Sequence, residues 1–168
     1  MRIGNKMNYK NSDAMKKYHL LIIVLLSGLF TSCLKHGLDE GELSVECDVT
    51  NVKFEHRWAV ELNTPGMVEL HFKEMQVQKE IDKESCTIDV IITVPKPDGN
   101  YPEEEWDATT LSKLACSFEV SRAASVRPLN MAPVLGTLGD YTQEWKYRVT
   151  SASGEYKDWV LKVIKFEK

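Results

Sequence analysis

The sequence predicts an all-β domain: a two-sheet antiparallel β-sandwich of about seven or eight short strands. Three observations carry that reading. Apolar residues beyond position 44 recur with period two, clusters of turn residues break the alternating runs, and no segment sustains a 3.6-residue apolar stripe. Cys86, Ile88, Val90, Ile92 and Val94 alternating with Thr87, Asp89, Ile91 and Thr93 show the pattern most plainly. Successive side chains of a strand point to opposite faces, so such a run buries one face and exposes the other.

The elements follow in chain order. "ECDVTNVKF" reads as a first strand, with Cys47 in phase with Val45 and Val49. "WAVEL" and "MVELHF" flank "NTPG", a hairpin signal. "PKPDGNYPEEEWDATT" holds three prolines and a charge cluster, so no central strand passes through it. "TTLSKL" allows one helical turn, and "RPLNMAPVLGTLGD" reads as a second long loop. Near the end, Trp145, Tyr147 and Val149 share one face, as do Trp159, Leu161 and Val163. The intervening "SASGEYKD" predicts an antiparallel hairpin in which Tyr147 and Val149 meet Trp159 and Leu161. Gly154 supplies the positive φ that such a turn needs. These four positions, Tyr147, Val149, Gly154 and Trp159, are read as structural.

Ahead of the domain stands a leader. Lys16 and Lys17 precede an apolar run from Leu20 to Phe30, which is too short for a bilayer span of about 20 residues. The run fits the apolar region of a secretory signal. "LFTSC" resembles a bacterial lipobox, with Phe30 where that motif usually has Leu. The resemblance implies cleavage before Cys33 and lipidation of its thiol. Residues 1–32 are therefore a signal peptide with its true start at Met15, 33–43 a lipidated tether, and 44–168 the sandwich. Several acyl chains hold a protein stably, whereas one binds only marginally. Leu34 stands where that motif's inner-membrane retention residue, Asp, would be, which favours the outer membrane. Whether the domain faces the cell surface or the periplasm is open at this stage.

Cleavage leaves 136 of the 168 residues, enough for one domain with its own core. The chain has 21 basic and 25 acidic residues, and the leader removes five basic residues and one acidic one. The remainder carries 16 and 24, a net charge of −8. Such a surface repels phosphate backbones, so nucleic acid is not an expected partner. Cys47, Cys86 and Cys116 form an odd set without paired metal-ligand spacing. Each is in phase with apolar neighbours and is read as a buried thiol; a disulfide between two of them stays open.

The C-terminal half carries a resemblance. "LSKLACSFEVSRAASVRP", "GTLGDYT" and "WKYRVTSASGEYKDWVLKV" resemble the immunoglobulin-like module of Bacteroides-type surface lipoproteins. The matching positions include Phe118, Pro128, Gly136, Tyr141, Tyr147, Gly154 and Trp159, and "ECDVTNVKF" is similar to that family's first strand. The likeness covers residues 45–54 and 86–168, leaving 55–85 as a feature of its own. It implies an immunoglobulin-like sandwich behind a lipid anchor. In that family the module precedes a larger domain assigned to carbohydrate metabolism; here it stands alone, which implies that the larger domain's activity is absent.

Chemistry-bearing patterns are sparse. No nucleophile elbow, H-E-x-x-H pair or phosphate-binding glycine loop occurs. Glu103, Glu104 and Glu105 are adjacent and read as a solvated charge run, since a glycosidase needs two carboxylates held across a cleft. His36, His56 and His71 stand apart and read as surface residues. Trp58 has an exposed reading beside Arg57, but its phase with Val60 and Leu62 favours core. The one binding hint is aromatic: Tyr101 and Trp106 lie in a polar loop, and loops on a rigid scaffold concentrate binding residues. The competing reading makes Trp106 a plug at one end of the core.

The sequence thus predicts an outer-membrane lipoprotein with no catalytic residues, no metal and no cofactor. It would act as a binding or accessory module of the cell envelope, linked to glycan capture, with Tyr101 and Trp106 as the contact. A structural spacer or assembly subunit in an envelope complex is the alternative, and a carbohydrate-active enzyme a minor one. The expected partners are the membrane, through lipid on Cys33, and a glycan or envelope protein.

Overall fold

The computed structural model describes residues 43–168. The expected leader, lipid anchor at Cys33 and tether up to Glu42, and His36 with them, lie outside the described residues. Within them the chain forms β1 (Val49–Glu61), β2 (Val68–Glu74), β3 (Gln76–Asp82), β4 (Thr87–Thr93) and a short helix α1 (Glu103–Ala108). A 3-10 turn (Leu111–Lys113) leads into β5 (Leu114–Val120), β6 (Ser125–Leu129), β7 (Leu138–Gly139), β8 (Trp145–Thr150) and β9 (Tyr156–Glu167). One sheet has the order β2-β1-β5-β7 and the other β3-β4-β9-β8-β6. Together they make the expected β-sandwich.

Period-two patterning decides what lies between the sheets. Val52 and Phe54 enter from β1, Ile88, Val90 and Ile92 from β4, Tyr147 and Val149 from β8, and Trp159 and Leu161 from β9; all are buried. Each such side chain contributes about 1.5–3 kcal/mol relative to exposure. Tyr147 lies directly opposite Trp159 in the β8–β9 hairpin, as the alternating pattern predicts. The Trp159 indole N–H donates to the carbonyl of Cys47 at 3.0 Å, fastening the last strand to the segment that enters the first. Gly154 turns that hairpin at φ +93°.

The chain changes sheets at Met75, between β2 and β3. Met75 is buried, and its N–H still donates to Phe54 O at 2.8 Å. The backbone therefore leaves one sheet without an orphaned donor there.

Three features differ from the sequence reading. Nine strands are present among the described residues, the additional one being the two-residue β7. The second sheet is mixed, because β9 runs parallel to β4 while every other pairing is antiparallel. Arg127, Pro128 and Leu129 belong to β6 rather than to a loop. Pro128 is tolerated because β6 is an edge strand, where a missing N–H costs no ladder bond.

The three described cysteines are free. Cys47 and Cys116 are buried as expected, and burial pushes the Cys116 thiol well above its ordinary range. Cys86 departs from its predicted strand face. It sits half-buried at φ +56° in the β3–β4 turn, its Sγ 3.7 Å from Lys83 O.

Candidate functional site

The second half of β1 runs beyond β5 and pairs there only with β2. Its inward face continues the core alternation as His56 and Trp58, and Trp58 lies opposite His71 of β2. The three rings form a near-parallel stack. His56 and Trp58 have centroids 5.6 Å apart at 22°, and Trp58 and His71 have centroids 5.5 Å apart at 20°.

The loop after β4 closes this stack from the other side. Asp98 and Tyr101 exchange backbone hydrogen bonds of 2.9 and 3.0 Å, and the Asp98 carboxylate accepts the Asn100 N–H at 2.8 Å. This tight turn aims the Tyr101 ring inward, 5.8 Å from Trp58 and 6.2 Å from His56. Lys73 ion-pairs with Asp98 and sits 5.5 Å over the Tyr101 ring. Its ammonium, with the Asn100 N–H, holds the Asp98 carboxyl below the usual carboxylate range.

Pro102 then starts α1, where Trp106 N–H donates to Pro102 O at 3.0 Å. Glu103 and Glu104 face solvent, but Glu105 turns inward and its Oε2 accepts from His56 Nε2 at 2.9 Å. His56 is 2% exposed, and its Nδ1 has no partner among the described residues. The other end of α1 is capped by Lys168, whose ammonium donates to the carbonyls of Trp106 and Asp107 at 2.8 and 2.9 Å. Cations complement the negative end of a helix. The same ammonium lies 4.9 Å over the Trp106 ring.

Several sequence expectations change here. Tyr101 is 0% exposed, so its ring is core and not a ligand contact; its hydroxyl bonds the Thr109 hydroxyl. A loop residue carries no alternation signal; the Asp98–Tyr101 turn and the Tyr101–Thr109 hydroxyl bond set its direction. Trp106 is half-buried against the core beneath Lys168, the plug arrangement. His56 is a paired buried group rather than a surface histidine, and Glu105 leaves the solvated run to pair with it.

What does open to solvent is a groove of about 150 Å³ lined by Trp58, Val60, His71, Gly99, Asn100 and Pro102. It offers the edges of an aromatic stack on one wall and polar backbone with an amide side chain on the other. That combination suits a small ligand that carries both apolar C–H groups and hydroxyls. Trp58 and His71 escaped the sequence reading because the phase of Trp58 marks a core face, whereas its ring is only half-buried. Among the described residues, no group of three or more His, Cys, Asp or Glu side chains could hold a metal ion.

No curated protein matches the chain. A crystal structure of a Bacteroides fragilis protein inferred to be secreted is similar to it, with 32% sequence identity and a TM-score of 0.67. The likeness covers 74% of this chain and 98% of that one. The profile of the family described as DUF5018-related matches residues 49–162, which takes in the β1–β2 hairpin, the groove and both sheets. The chain belongs to the DUF5018-related family.

Proposed function

We propose that the protein is an outer-membrane lipoprotein, anchored through Cys33, whose immunoglobulin-like sandwich is a non-catalytic binding module that captures glycan. The observation that carries this reading is the groove beside Trp58, where an aromatic stack faces Asn100 and the Gly99 backbone. The apolar C–H groups of a sugar pack against such ring edges, while its hydroxyls take the polar wall. The lipobox-like "LFTSC" and the similarity to a Bacteroides protein inferred to be secreted support an envelope location. The sealed His56–Glu105 pair supports a binding role over a catalytic one, since a substrate cannot reach an imidazole that is 2% exposed.

Affinity electrophoresis of the full chain through gels containing soluble polysaccharides tests the reading. Retardation of the wild type and about a tenfold loss of affinity in Trp58→Ala are expected. Equal retardation of both removes the groove as the contact. Protease treatment of intact cells, with Cys33→Ala as the anchoring control, distinguishes a surface module from a periplasmic one.

A second reading, an assembly subunit of an envelope complex, is favoured by one observation. Strand β2 is an uncovered sheet edge that displays large apolar side chains among the described residues.

A further inference from the structure

We propose that β2 is a self-association edge, pairing antiparallel with β2 of a second copy about a two-fold axis at His71. The inference deepens the assembly reading and rests on it; His71, on the axis, also lines one wall of the groove. Strand β2 borders only β1, so its other side is open among the described residues. Met67 O accepts from Leu62 N at 3.0 Å and Met75 N donates to Phe54 O at 2.8 Å, so both residues point their backbone toward β1. Backbone direction alternates along a strand, so Val68, Leu70, Phe72 and Glu74 aim their N–H and C=O groups at the open side. These residues also carry the apolar surface: Val68 is 57% exposed, Leu70 80% and Phe72 65%.

Most edges of this kind are protected by charge, proline or a covering segment. The sequence of β2, "VELHFKE", is instead complementary to itself when reversed about its middle. With His71 on the axis, Leu70 faces Phe72 of the second copy, and Glu69 faces Lys73. Each pairing occurs twice. The outward-aimed residues 70 and 72 then form the hydrogen-bonded pairs, as the backbone phase requires. Glu69 and Lys73 fall at the closely approached positions, where opposite charges stabilise and like charges oppose pairing; the Lys73 ammonium, already held by Asp98, would then lie between two carboxylates. Centring the axis on Leu70 or Phe72 loses the charge match. The second open edge beside it, β3, is polar on its outward face at Gln76, Gln78 and Glu80 and has no such self-match.

Sedimentation of the full detergent-solubilised chain, with oxidative cross-linking of single-cysteine substitutions, tests the proposal. The expected result is a concentration-dependent dimer, weakened about tenfold or more in Leu70→Asp and in Glu69→Lys, because each change enters the interface twice. Gln78→Lys on β3 should leave it unchanged. His71→Cys should cross-link to its own copy, since closely approached pairs of antiparallel strands have Cα atoms about 4.5 Å apart, within disulfide reach. Val68→Cys should not, because it faces Glu74 in this register. The parent chain, with its half-buried Cys86, is the blank. A strict monomer overturns the proposal, as does a dimer indifferent to Leu70→Asp or cross-linking equal at positions 68 and 71. Leu70 lies on the face opposite the groove, so polysaccharide retardation that persists in Leu70→Asp separates this outcome from failure of the glycan reading.

Discussion

Glu105 and His56 meet at 2.9 Å across 49 residues of sequence, joining α1 to β1 at the one point where a charged helix residue reaches a sealed core position. The His56 ring is buried and its Nδ1 is already without a partner among the described residues, so Nε2 depends on this carboxylate. Glu105→Ala should destabilise the fold by about 1–3 kcal/mol, the cost of leaving a second buried ring nitrogen unsatisfied. Glu105→Gln keeps an acceptor and should cost less. Glu104→Gln on the solvent side should change stability by no more than about 0.5 kcal/mol. Urea unfolding of the three variants checks the order.

Trp159 combines a buried indole with a 3.0 Å hydrogen bond to Cys47 O. Trp159→Ala should cost about 3–5 kcal/mol through the cavity it leaves. Trp159→Phe keeps most of the packing but removes the donor, and should fall between that value and the wild type. Denaturant midpoints with unchanged slopes would identify both as stability effects.

The three described thiols should react in a fixed order. Cys86 is half-buried in a turn, Cys47 is buried near the surface, and Cys116 is enclosed, with burial raising its thiol furthest. Only the thiolate attacks a labelling reagent. Labelling followed by peptide mapping should find Cys86 modified first and Cys47 later. Cys116 should be modified only as fast as the molecule unfolds. Early modification of Cys116 would contradict its burial in the core.

Asp48 is clamped by Lys157 at 2.8 Å and Lys83 at 3.1 Å, and the hydrogen bond from Lys157 leads in holding its carboxyl below the usual range. A depressed carboxylate favours the native state above its unfolded pKa. That contribution fades as pH falls through the ordinary carboxylate range to the lower folded value. Both lysines are partly exposed, which limits the gain to about 1 kcal/mol or less. Asp48→Asn should therefore lower stability at neutral pH and flatten the acid limb of a stability profile below about pH 5. Identical wild-type and Asn profiles would show that the clamp contributes nothing.

Legibility in the sequence follows the range of the interactions. The β8–β9 hairpin was readable because Tyr147, Val149, Trp159 and Leu161 alternate within a few residues of a glycine turn, and the β1–β2 hairpin because "NTPG" separates two alternating runs. The parallel β4–β9 pairing was not, because alternation states which residues share a face and is silent on strand direction. Tyr101 was misread for a related reason. In a loop no period exists, and the Asp98–Tyr101 backbone bonds with the Thr109 hydroxyl decide that its ring turns inward. Trp58 shows the converse: its phase with the core is real, but its ring stays half-buried at the rim of the groove.

The sequence by itself determined that the chain folds as a β-sandwich, where its hairpins turn and which residues of β4, β8 and β9 are buried. Those properties come from neighbouring residues, through side-chain alternation and turn chemistry. The tertiary structure decided which distant strands pair, and so built the His56–Glu105 contact, the Trp58 groove and the open β2 edge. Each of these needs groups far apart in sequence to meet, or a strand to lack a neighbour. No local pattern encodes either, because the free energy that selects them is gained only when the two sheets close on a shared core.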